Sequence, residues 1–168
     1  EQVIPVEMKT KQARVYKEIK DELLLEIDGE KQVIGNVLTK LTRLRQTTNG
    51  LWAFGDEDES AKVEALEELL LQFGEEKSII FTQFSETAEA LRRLLCIRHA
   101  VTGDTTKRDE VIKDWRETGQ ALVGTSALMK GHNLQDARYV VFVDMPWTYA
   151  MYEQAFSRAW RTGQKKPV

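Results

Sequence analysis

Cysteine is almost absent from this sequence. Cys96 is the one thiol, which excludes an internal disulfide framework and fits a reducing compartment. The two histidines, His99 and His132, have no cysteine or acid at metal-ligand spacing, so no metal site is expected. Long apolar runs are missing too: "YVVFV" falls far short of the roughly 20 residues a helix needs to cross a bilayer. No signal-peptide pattern opens the chain, and no membrane partner is expected. Positive charge is in no excess. Against 24 Lys and Arg stand 27 Asp and Glu, a net charge of −3, so only a local arrangement of basic residues can mark a nucleic-acid site. No G-x-x-x-x-G-K-[ST] run occurs, so the chain has no loop to cradle nucleotide phosphates.

What is present is a 42% hydrophobic content over 168 residues, the profile of one soluble domain with room for an appendage. The first third reads as helical. Val15, Tyr16, Ile19, Leu23 and Ile27 recur at helical spacing, as do Ile34, Val37, Leu38, Leu41 and Leu44, with Gly29 and Gly50 closing the two helices. Ahead of them "EQVIPVEM" reads as extended, since Pro5 discourages helix. "NGLWAFGDEDES" is a loop, and its acidic run 56–59 follows glycines rather than a buried strand, so it reads as a solvated linker.

From Ser60 onward strands alternate with helices. Ser60 is placed to cap a helix through Leu66 and Phe73, Ser85 one through Ala88 and Leu91, and Thr148 the last one. Thr106 to Asp109 has a capping-box pattern ahead of Val111, Ile112 and Trp115. "KSIIFTQF", "CIRHAVTG", "ALVGTS" and "RYVVFVD" read as four strands. This alternation predicts an α/β fold, a parallel sheet flanked by helices, over residues 59–168, preceded by an extended strand and helical linker over 1–58. Ligands of such sheets gather beyond the carboxyl ends of the strands, here segments 82–85, 102–105, 125–135 and 144–148.

On a wheel of the last helix, Gln154, Arg158 and Arg161 share one stripe, opposite Tyr152, Ala155, Phe156 and Ala159. No acid lies on that stripe, and two guanidiniums this close suit an anion between them; a solvated arginine pair satisfies the same spacing. The whole run "EQAFSRAWRTGQ" resembles motif VI of the Swi/Snf-like ATPases, a branch of the superfamily-two helicases. The pattern Q-A-x-x-R-x-x-R-x-G-Q is met by Gln154, Ala155, Arg158, Arg161, Gly163 and Gln164. "KSIIFTQF" is similar to the strand opening that family's second RecA-like lobe, and "VTGDTTKRDEVIKDW" to its apolar-x-Gly-x-Thr segment. "TSALMKGHNL" sits where motif V belongs, and "LTRLRQTTNG" resembles the Leu-Arg-Gln helix before the lobe. RNA helicases of the same superfamily usually carry a third arginine where Gln164 stands.

The resemblance implies a second RecA-like lobe, truncated after motif VI, in a DNA-dependent ATPase of the nucleus or nucleoid. It implies that Arg158 and Arg161 act as catalytic arginine fingers on ATP and Mg²⁺ held mainly by a separate first lobe. Gln154, Gly131 and Asn133 are then expected at the nucleotide. Thr82, Thr102, Gly103, Thr125, Ser126 and Lys130 are expected at the backbone of double-stranded DNA, though the hydroxyls among them suit ordinary helix capping equally well. The isolated lobe is expected to hydrolyse no ATP. In motif V the family's glycines are replaced by Leu128, Met129 and Lys130, leaving Gly131. That loss keeps open an alternative: a degenerate lobe that only binds DNA or protein.

Overall fold

A computed structural model describes residues 2–28, 34–56, 60–129 and 131–159. It divides into two compact units, residues 1–65 and 66–168. The boundary expected at 58/59 lies outside the described residues.

In the first unit α1 (Thr10–Asp28) and α2 (Ile34–Asn49) pack on one another, and a 3-10 turn, Trp52–Phe54, follows. Residues 2–9 lead into α1 without forming a strand. Gln12 is buried, and its side chain explains why that position is polar. Its Nε2 donates to the Thr47 carbonyl at 2.9 Å, and its Oε1 accepts from the Lys9 and Ala61 amides, both at 3.3 Å. A buried amide bonded through both its nitrogen and its oxygen specifies one arrangement of the three segments it touches. Leu38, expected on the apolar stripe of α2, is 57% exposed.

α3 (Ala61–Phe73) crosses the division between the units. Ser60 caps it as expected, its Oγ accepting from the Val63 amide at 3.4 Å. The strands β1 (Ser78–Phe81), β2 (His99–Val101), β3 (Ala121–Gly124) and β4 (Tyr139–Phe142) are all parallel, in the order β2-β3-β1-β4. α4 (Ser85–Leu94) connects β1 to β2 and α5 (Arg108–Thr118) connects β2 back to β3. The chain reverses direction between the two crossovers, so right-handed connections put these helices on opposite faces. On one face Ile79, Phe81, Val101 and Leu122 form a core with Ile112 and Trp115 of α5 and with Ala155 and Ala159 of α6 (Tyr149–Ala159). On the other, Phe73 of α3 stacks on Tyr139, ring centroids 3.9 Å apart.

Two expected caps are corrected by the structure. The residue before α4 is Phe84 and the one before α5 is Lys107, neither with a side-chain cap. Ser85 is already the first helical residue of α4, and Thr106 lies one residue too early for α5. The hydroxyls that shape these turns are Thr82, which accepts from the Phe84 amide at 3.3 Å, and Thr105, which accepts from the Thr102 amide at 2.9 Å. Thr148 caps α6 as expected, accepting from the Met151 amide at 3.3 Å.

Candidate functional site

Four parallel strands end on the same edge of the sheet, so the segments that follow them meet there. Thr82, just past β1, is fully buried, and its hydroxyl donates to Asp144 Oδ2 at 2.6 Å. The other oxygen of Asp144 accepts from the Gln83 amide at 3.0 Å. This buried carboxylate, just past β4, thus ties the ends of the two adjacent strands. The Thr82 hydroxyl is committed inward.

Past β2, Thr102 is buried and Gly103 exposed. Arg108 at the start of α5 closes this turn, donating to the carbonyls of Thr105 at 3.0 Å and Gly103 at 2.8 Å. Past β3, Thr125 is buried and Ser126 exposed. Gly124, the last residue of β3, pairs with Val101 of β2, where a Cβ would meet the Val101 carbonyl oxygen at 2.8 Å. Leu128 and Met129 follow, at 0% and 1% exposure, inside the core shared with α5 and α6. Gly131 has φ +81°, a left-handed turn that glycine takes without strain. Asn133 is half-buried, and its Oδ1 accepts from the Gln135 amide at 3.3 Å. Lys130 lies outside the described residues.

α6 begins beyond the end of β4 and packs back across one face of the sheet. Ala155 and Ala159 are fully buried and Gln154 is exposed, as the helical period requires. Half-buried Arg158 donates through Nε to the Met129 carbonyl at 2.9 Å, and its own carbonyl accepts from the Leu134 amide at 2.9 Å. The last turn of α6 and the segment after β3 are therefore bonded in both directions. Among the described residues no carboxylate lies within ion-pair distance of Arg158 and no acceptor bonds the outer nitrogens of its guanidinium. Arg161, Gly163 and Gln164 lie outside the described residues. Trp147, in the turn before α6, is 55% exposed, whereas Trp115 is wholly buried.

Several side chains on α5 and the segment it faces escaped the sequence reading. Arg116 of α5 donates to the Asn133 carbonyl, and its Nε lies 3.1 Å from Asp136 Oδ2. His132 Nδ1 lies 3.3 Å from Asp109 Oδ1, also on α5. No local spacing announces either link. At the far end of β2, His99 Nε2 donates to Asp114 Oδ2 at 2.9 Å and Arg98 reaches the same oxygen at 3.0 Å. The His99 hydrogen bond, with Arg98 adding to it, holds the Asp114 carboxyl below the usual carboxylate range. This cluster lies at the amino ends of the strands and ties β2 to α5.

The helicase conserved C-terminal domain pattern matches residues 61–163. The chromatin-remodeling ATPase INO80 of Eremothecium gossypii is 33% identical over 121 residues, 66% of this chain and 9% of that protein. The human DNA repair and recombination protein RAD54B is 29% identical over 127 residues, 67% of this chain and 14% of that one. A probable ATP-dependent RNA helicase, DDX4 of Pelophylax lessonae, is 28% identical over 114 residues, 63% of this chain and 16% of its own length. This chain thus spans a small part of each relative. In fold it is similar to the C-terminal part of the Fun30 ATPase domain, with a TM-score of 0.76 at 18% identity, covering 99% of this chain and 82% of the other.

Proposed function

The chain belongs to the helicase conserved C-terminal domain family, as a lobe of Swi/Snf type, and on that premise we propose that it is the second motor lobe of a DNA-dependent ATPase and translocase. The observation that carries this reading is Arg158: fixed through Nε to a backbone carbonyl, with no carboxylate in ion-pair range among the described residues. A guanidinium held by one nitrogen keeps its remaining donors for an incoming oxyanion, and its position is set before that anion arrives. Arg161, three residues further along the sequence, is the second finger, and exposed Gln154 precedes Arg158 on α6. Gly131 and Asn133 lie on the segment bonded to Arg158 and complete the nucleotide-facing group.

ATP with Mg²⁺, held on the first lobe of the same protein, supplies the phosphoryl group whose transfer develops the negative charge. The residues of this lobe bind and orient: they add positive charge where it develops, an effect worth roughly 10³–10⁵ in rate in NTPases with an arginine finger. Arginines that reach the phosphate only on closure couple hydrolysis to lobe motion. The loops past β1, β2 and β3 meet the backbone of double-stranded DNA. Exposed Gly103 and Ser126, with Lys130, offer the contacts, and buried Thr82, Thr102 and Thr125 hold the loops from beneath. Relatives named for chromatin remodeling and DNA repair favour a nuclear setting.

A second reading, a lobe retained only for binding, draws on Leu128 and Met129, which put buried side chains where the family has glycines. One experiment separates the two. In the full-length protein, DNA-stimulated ATP turnover is measured for the parent, Arg158→Ala and Arg161→Ala. A loss of roughly a hundredfold or more in each variant supports the finger roles. A loss within twofold, or a parent that binds DNA without turning over ATP, sinks them. Repeating the parent assay with RNA tests the specificity for DNA, since stimulation by RNA alone would assign the chain to RNA.

A further inference from the structure

The segment after β3 is held on both sides. Leu128 and Met129 are buried in the core at its start. Arg158 of α6 grips the Met129 carbonyl on one side. On the other side α5 makes two links: Asp109 with His132, and Arg116 with both the Asn133 carbonyl and the Asp136 carboxylate. The two α5 links differ in kind. Asp109 is 96% exposed and reaches a single imidazole nitrogen, so water competes for it easily. Arg116 is a planar fork that engages a main-chain oxygen and a carboxylate together. One of its acceptors belongs to the backbone of Asn133 itself, so the contact fixes the path of the chain, whereas the other fixes only a side chain.

We propose that α5 is a strut for the nucleotide-facing segment, and that Arg116 is its positioning residue. Arg116 exerts this role through the main chain it holds, since both of its partners are protein groups. It holds the Asn133 main chain against α5, and the Leu134 amide that follows hydrogen-bonds the Arg158 carbonyl. Cutting the fork frees the Asn133–Leu134 peptide on its α5 side. The last turn of α6 then loses its fixed neighbour, and the Arg158 guanidinium loses its aim. The catalytic part of this inference rests on the finger role given to Arg158 above. The strut itself does not.

The test uses the full-length protein with Arg116→Ala, Arg116→Lys and, in parallel, Arg158→Ala. Two quantities are read: amide hydrogen exchange in residues 131–137, and the kcat and KM for ATP with duplex DNA. Arg116→Ala is expected to speed exchange in that segment about tenfold or more while the amides of β1 and β3 keep their protection. It is expected to lower kcat by roughly tenfold to a hundredfold, with the KM for ATP within about twofold. Arg116→Lys, which keeps the charge and loses the fork, should fall between. Unchanged exchange in 131–137 overturns the strut whatever the activity does. Faster exchange with an unchanged kcat overturns the positioning role. If Arg158→Ala leaves turnover intact, the finger reading fails separately, and the exchange data still decide the strut.

Discussion

At the scale of single residues, the Asp114 carboxylate receives His99 from β2 and Arg98 beside it, and its titration follows. Its native pKa is depressed, so its contribution to stability is present above the unfolded value of about 3.9 and is lost as pH falls through the lower native value. Denaturant melts of the parent and Asp114→Asn are therefore expected to differ most from about pH 5 to neutrality and to converge in strong acid. A difference that grows on acidification would contradict this origin. Residues of this kind were only partly legible in the sequence. Gln154 and Arg158 could be placed on one stripe from the helical period. The anchor of Arg158 on Met129 could not, because its partner is 29 positions away along the chain. Arg116 and the Asn133 carbonyl are 17 apart and belong to different elements. Such pairs are created by the sheet order, and no periodicity encodes them.

At the scale of elements, all four strands fall within the segments read as strands, and β1, with isoleucine and phenylalanine, shows the apolar residues on both faces that a buried parallel strand needs. β4 differs: all four of its residues are half-buried, as befits the end of the strand order, yet "YVVF" reads like a central strand. Caps were harder, since a cap depends on which residue is extended immediately before the first helical one. Ser60 and Thr148 stand immediately before their helices and cap them; Ser85 and Thr106 each miss the cap by one position. The glycines at the ends of the strands also differ physically. A Cβ at Gly124 would meet the Val101 carbonyl oxygen and Leu128 within 3 Å, whereas one at Gly103 would meet nothing. Gly124→Ala must part β2 from β3, which is expected to cost about 1–3 kcal/mol. Gly103→Ala is expected to stay within about 0.5 kcal/mol. Equal effects of the two in chemical denaturation would show that the close approach at β3 is not what selects glycine.

At the scale of the whole molecule, the alternation of strands and helices made the fold class legible, but not the order β2-β3-β1-β4. That order decides on which face each crossover helix lies, and it puts β1 between β3 and β4. The segments carrying Thr82, Ser126 and Asp144 therefore follow three adjacent strands. The division of labour in the motor also belongs to this scale. The sequence carries no phosphate loop, so the isolated chain is expected to show no ATP turnover above background in a phosphate-release assay with DNA present. Turnover that survives loss of both Arg158 and Arg161 would remove the need for a first lobe.

The two-way bonding of Arg158 to Met129 and Leu134 has a mechanical meaning. A single hinge point would let the last turn of α6 swivel against the loop beneath it. Two attachments of opposite polarity, one through a side chain and one through the main chain, remove that play. Whatever pushes on the loop pushes on the helix in the same stroke, as in a gear train without backlash.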